Sequence, residues 1–236
     1  MMKHRKLLQI LGAATVGLAL AGCQSAMPSS TATGTHADNS KDVNSPQLAA
    51  YREAPLPYTG SEASPTEVIA VSQPSAQTYQ WMTVRSPAFG PNEPIPQQFA
   101  GPDGSTPPLT WSDPPVGTQS IAIVVEDPDA VSPRPFVHMI LYNLPANQRD
   151  LPAGAIGENA TTAKFGGAVE GTNSAGAMGY FGPTPPQSDP AHHYHFQVFA
   201  LDTTLNLPQG ATKQDLMKAI DGHVLAKGET VGTFAR

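Results

Sequence analysis

Three short apolar runs set the limits on how this chain can fold: residues 120–125 (SIAIVV), 137–142 (VHMILY) and 195–201 (HFQVFAL). Each is too short for a typical globular helix and is rich in β-branched or aromatic side chains, so each reads as a buried strand. The chain's 25 prolines and 21 glycines interrupt any 3.6-residue period, and no long amphipathic helix is legible for roughly a hundred residues after Thr78. The expectation is a mostly β domain over residues 78–236. One helix is predicted near the end, where Thr212 and Asp215 have the spacing of a capping box and Leu216, Ala219 and Ile220 share a face. Residues 230–234 are expected to form a final strand. No internal repeat is visible.

The first 22 residues have a different texture. Residues 1–6 are basic, residues 7–21 are apolar, and small residues follow, the order of a secretory signal. Fifteen apolar residues fall short of the roughly 20 that span a bilayer core. Leu20-Ala21-Gly22-Cys23 resembles the lipobox of bacterial lipoproteins, with Cys23 as the lipidated first mature residue. Cys23 is also the only cysteine, so the chain has no internal disulfide even though export would permit one. Several acyl chains on one residue give stable anchoring. Gln24 is not the aspartate associated with inner-membrane retention, so an outer-membrane anchor facing the periplasm is expected. Residues 23–77 are rich in Ser, Thr, Ala, Pro and Asn without a period, and read as a disordered tether of roughly 40 Å root-mean-square reach. A short helix is conceivable at residues 45–52.

Removing the first 22 residues takes away three of 13 Lys+Arg and none of 19 Asp+Glu, which moves the formal charge from −6 to −9. An acidic chain without a basic patch interleaved with aromatics excludes nucleic acid as a partner.

The chemistry-bearing residues cluster in two stretches. If the runs 120–125 and 137–142 are antiparallel neighbours, Asp127 and His138 lie at the same end of the sheet. Asp127-Pro128-Asp129 reads equally well as a turn. In the stretch 179–196 (GYFGPTPPQSDPAHHYHF), strand alternation puts His192, Tyr194 and Phe196 on one face and His193 and His195 on the other. His193 and His195 could chelate a metal, but no third ligand is evident, so no metal and no cofactor are assigned. Alternatively, His192 and Tyr194 line a pocket as donors.

The stretches SPAFGPNEPIP, DGSTPPLTW, EDPDAV with FVHMILYNLPA, GYFGPTPP with HHYHFQVFALD, and GHVLAKGETVGTFAR resemble, in this order, successive blocks of the phosphatidylethanolamine-binding protein family, in its bacterial Raf-kinase-inhibitor-like branch. The resemblance covers residues 82–236. It implies an antiparallel β-sandwich with a few peripheral helices and a small anion pocket at one end. Asp127 and His138 match the pocket's acidic residue and histidine, His192 and Tyr194 its second histidine and tyrosine, and Gly182 the Gly-Pro rim. A structural turn is implied for Asp129. Four positions depart from the family pattern: Val131 replaces a proline, Met139 an aromatic, Thr184 a cysteine and His193 a basic residue. Loss of the aromatic at 139 and of the cation at 193 is expected to weaken the hold on an anion.

The function expected is a non-enzymatic, membrane-anchored binding protein for phosphate, a phospholipid head group or another small anion. A second reading is a protein-level regulator of a protease or kinase, with a protease the better fit for an exported domain. A third is a hydrolase using Asp127, His138 or His192, although the chain has neither a Gly-x-Ser-x-Gly elbow nor a His-Glu-x-x-His motif.

Overall fold

The computed structural model describes residues 67–156 and 165–236. The signal, Cys23, most of the tether and the short helix at 45–52 lie outside them. Each apolar run forms a strand, and each strand is longer than its run: β4 is Ser120–Asp127, β5 is Phe136–Pro145 and β8 is His192–Leu201. Val224–Phe234 makes β9, six residues longer at its start than the strand expected at 230–234. The flanking polar residues join because backbone pairing continues past the apolar patch. β4 pairs antiparallel with both β5 and β8, and β8 with β9.

These four strands are the centre of a six-stranded sheet with order β2-β9-β8-β4-β5-β7, where β2 is Glu93–Pro94 and β7 is Val169–Glu170. Pairing is antiparallel throughout except for β2, which runs parallel to β9. A second sheet of three short strands, β1 (Val84–Arg85), β3 (Leu109–Trp111) and β6 (Asp150–Leu151), lies against one face. The core between the sheets joins Val84, Leu109, Trp111 and Leu151 to Ile121, Ile123, Val125, Phe196 and Val198. Alternation turns Ala122, Val124 and Phe199 to the other face, where they pack on α1 (Lys213–Ala219) through Leu216 and Met217. This is the expected sandwich, with one peripheral α-helix among the described residues. That helix starts at the expected capping box: Thr212 accepts from the Asp215 N–H, and the Asp215 carboxylate accepts from the Thr212 N–H.

The folded part begins earlier than Thr78, so the domain boundary expected between 77 and 78 is corrected. Residues 70–72 and 74–76 form two 3-10 turns with Ala70, Val71 and Ala76 buried in the helix-side core. The Ala70 N–H donates to Glu126 at 2.7 Å and the Val71 N–H to Gln197 at 2.6 Å. The buried Glu126 carboxylate also accepts from Gln197 at 2.8 Å and pairs with the Lys213 ammonium at 2.5 Å. Lys213 in turn meets Glu67 at 3.1 Å and the Val68 carbonyl at 3.1 Å. Every charge taken from water here has a partner, which is the condition for burying one. A Ser/Pro-rich composition hid this segment because polar residues outside the segment supply its anchors.

Candidate functional site

One end of the large sheet brings together the C-terminus of β4 and the N-termini of β5 and β8. Asp127, His138, His192 and Tyr194 all line a cavity of about 130 Å³ there. That volume is below the roughly 300–1,000 Å³ of drug-sized sites, so it suits a small group. The walls are largely apolar: Val131, Phe136, Phe181, Pro185 and Pro186.

A β-bulge aims His138. Val125 pairs with Met139 while Glu126 pairs with Val137, which leaves His138 as the extra residue. In a bulge two neighbours face one partner and the strict alternation of the strand is broken. His138 consequently sits on the face that also carries Asp127 and Tyr194, with its ring 5.1 Å from the Tyr194 ring, edge-on, and 4.8 Å from Phe136. Its Nδ1 lies 2.5 Å from the Phe181 carbonyl oxygen. A carbonyl oxygen can only accept, so Nδ1 carries the proton. Burial pushes the imidazole down to about 4, the bond to Phe181 opposing and the neighbouring His192 reinforcing that shift.

Asp127 performs both of the roles left open by its sequence. Its Oδ1 accepts the Asp129 and Ala130 N–H groups at 2.8 and 3.1 Å, closing the turn. Its Oδ2 accepts from Nδ1 of His192 at 2.7 Å. Both groups are buried. Burial lifts the Asp127 carboxyl above the usual range, only partly offset by His192. For His192 burial opposes the charge, but the bond to Asp127 and the carboxylate of Asp189, 3.5 Å from Nε2, outweigh it and raise the imidazole. His192 is thus held between two carboxyl groups that favour its protonated form.

Tyr194 completes the group. Its hydroxyl is buried without a well-formed hydrogen bond, and burial together with the nearby Asp127 carboxyl holds the phenol far from ionisation. Its polar neighbour is the Asp127 carboxyl, at poor hydrogen-bond geometry, so a better-aligned acceptor in the cavity can take that place.

Gly182 stands behind the rim and does not line the cavity. Its N–H donates to the Gly101 carbonyl at 3.1 Å, and a Cβ would fall 2.5 Å from the Phe99 carbonyl oxygen, so only glycine fits. It thereby fixes its neighbours Phe181 and Thr184, which do line the cavity. Met139 and His193 lie outside the cavity. Met139 is in the inter-sheet core, and Phe136 and Phe181 supply aromatic walls. His193 faces outward and bonds Asp129 at 2.7 Å, so neither of these two side chains lines the cavity. Val131 and Thr184, the other departures, do line the cavity.

The outer-face histidines do not converge on a common point. His195 pairs with Glu229 at 3.0 Å, while His193 pairs with Asp129, and among the described residues no cluster of three or more His, Cys, Asp or Glu could hold a metal. Asp129 is likewise turned away from Asp127 toward His193, so the two carboxylates do not form an acid-base pair.

Phe136 and Phe181 line the cavity and Asp189 pairs with His192; sequence reasoning missed all three. For Asp189 the signal was its spacing, three residues before His192 in a proline-stiffened loop.

The phosphatidylethanolamine-binding protein family model matches residues 85–235. The UPF0098 protein PH1269 of Pyrococcus horikoshii is 42% identical over 153 residues, covering 64% of this chain and 75% of its own. A Mycobacterium tuberculosis protein named as a lipoprotein, LppC, is 38% identical over 154 residues, covering 65% of this chain and 72% of its own. Among solved structures, Escherichia coli YbcL superposes with a TM-score of 0.62 at 30% identity, covering 66% of this chain and 98% of that one. The Chlamydia trachomatis homologue CT736 does so with a TM-score of 0.58 at 36% identity, covering 66% and 99%. The two-sheet architecture and these likenesses agree, and the chain belongs to the phosphatidylethanolamine-binding protein family, among its bacterial members.

Proposed function

We propose that the protein is an exported, lipid-anchored binding module whose cavity holds a small oxyanion, of the kind found in phosphate or a phospholipid head group, without chemical turnover. The observation that carries this reading is the Tyr194 hydroxyl, buried without a well-formed bond at the wall of a cavity. A buried hydroxyl whose polar neighbour, Asp127, is poorly aligned gains from a well-placed ligand oxygen. His192 stands behind it with both of its nitrogens spent on the carboxyl groups of Asp127 and Asp189. That arrangement orients and holds, and Thr184 on the wall donates its hydroxyl to the Gly182 carbonyl at 3.1 Å and not to a histidine. Anchoring rests on the Leu20–Cys23 pattern and on the likeness to LppC.

One experiment covers both halves. The whole chain, recovered from membranes in detergent, is titrated with inorganic phosphate by calorimetry. One saturable site is expected, weakened about tenfold by Tyr194→Phe, the loss of one hydrogen bond to a charged acceptor. Cys23→Ser is expected in the soluble fraction with the affinity unchanged. Absence of binding, or no effect of Tyr194→Phe, contradicts the pocket; a membrane-bound Cys23→Ser protein contradicts the anchor.

A further inference from the structure

We infer that the ligand brings its own acidic proton: the cavity takes an oxyanion that still carries an O–H, such as monoanionic phosphate or a phosphomonoester monoanion, in preference to a phosphodiester. This rests on the oxyanion reading above and narrows it. The Phe181 carbonyl, 2.5 Å from Nδ1, fixes the proton of His138 on that nitrogen. A neutral imidazole has only one N–H, so Nε2 is a bare acceptor on the ring edge that remains, and no group among the described residues bonds it. The ring is packed against Phe136 and Tyr194 at 4.8 and 5.1 Å, which holds this orientation. Burial, which pushes His138 down to about 4, keeps the ring neutral above that pH.

The surrounding charges point the same way. The titratable groups around the ring are Asp127 from β4 and His192 and Tyr194 from β8, with Asp189 beyond His192. Both nitrogens of His192 are taken by the carboxyl groups of Asp127 and Asp189, so the second charge of a dianion finds no free N–H there. A monoanion with an O–H fits both groups: it accepts from the Tyr194 hydroxyl, in place of the poorly aligned Asp127 carboxyl, and donates to Nε2 of His138. A phosphodiester has the same single charge and no proton to give. Its oxygen would face the Nε2 lone pair, and a desolvated acceptor left unpaired costs roughly tenfold or more in affinity.

The test compares methyl phosphate, dimethyl phosphate and glycerophosphoethanolamine on the whole chain by calorimetry at about pH 5.5 and pH 8. Dimethyl phosphate keeps one charge across this range, so its pH dependence reads the protein's own titrations. The ratio of methyl to dimethyl phosphate affinity isolates the ligand's proton, since a phosphomonoester loses that proton near pH 6. The expected ratio is at least about tenfold at the lower pH and falls about tenfold or more by the higher. His138→Phe keeps a ring and removes the acceptor, and is expected to bring the ratio toward one. Equal affinities, or a ratio that does not fall with pH, overturn the inference while leaving the oxyanion site standing. Glycerophosphoethanolamine matching methyl phosphate also overturns it, because an ammonium would then be the donor. Binding by none of the three overturns the oxyanion site itself. If His138→Phe fails to fold, the wild-type ratio still decides.

Discussion

His138 is held neutral by burial, and the consequence is sensitivity to acid. Its folded pKa is depressed from 6.5 to about 4, so between those values the unfolded chain binds a proton that the folded chain refuses. Its contribution is therefore complete above 6.5 and is lost as pH falls through 4, a change of about 3 kcal/mol at 1.36 kcal/mol per unit. His192 has the opposite sign: its raised pKa favours the fold at low pH and the benefit fades as pH rises through the folded value. Urea denaturation at pH 6.5 and 4.5 should show a larger loss for wild type than for His138→Phe, and equal losses would contradict the buried neutral imidazole. At this scale the sequence was partly readable. Strand alternation alone put His192 and Tyr194 on one face, as the structure has them. The placement of His138 beside them needed a bulge at Val125/Glu126, and nothing in VHMILY marks an inserted residue. The tautomer of His138 depends on the Phe181 carbonyl, 43 residues away, which no local pattern reveals.

The strands and the helix were legible as elements because their signals are local. β-branched runs make strands wherever both faces are covered, and Thr212 with Asp215 caps a helix through contacts three residues apart. The 67–77 segment was not legible, since its anchors Glu126, Gln197 and Lys213 lie 56 to 145 residues along the chain. The run VIAV at 68–71 was its one apolar trace. Lys213 neutralises the fully buried Glu126 carboxylate and also bonds the segment. Lys213→Ala leaves that carboxylate without its cation, and a loss of about 3–5 kcal/mol in chemical denaturation is expected. A loss below about 1 kcal/mol would mean that water replaces the ammonium and that the segment is not clamped. The same segment reaches the pocket loop, because Glu67 also pairs with Arg134 at 3.3 Å, three residues after Val131 on the cavity wall.

At the scale of the whole molecule, the architecture separates stability from binding. The apolar mass lies between the sheets and beneath α1, while the charged and hydrogen-bonding groups of the pocket sit at one end, where three strands terminate and loops can vary. The match over residues 85–235 and YbcL, covered over 98% of its length, locate the family's common part in the β domain. The central claim is that Asp127, His138, His192 and Tyr194 form one binding site. The most direct measurement is a titration of the whole chain with inorganic phosphate at pH 6, followed through the histidine ring signals by NMR. Saturable shifts of His138 and His192 together, with the outward-facing His193 and His223 unmoved, are predicted. Unshifted signals from His138 and His192 at saturating millimolar phosphate, or equal shifts of all the described histidines, would contradict it.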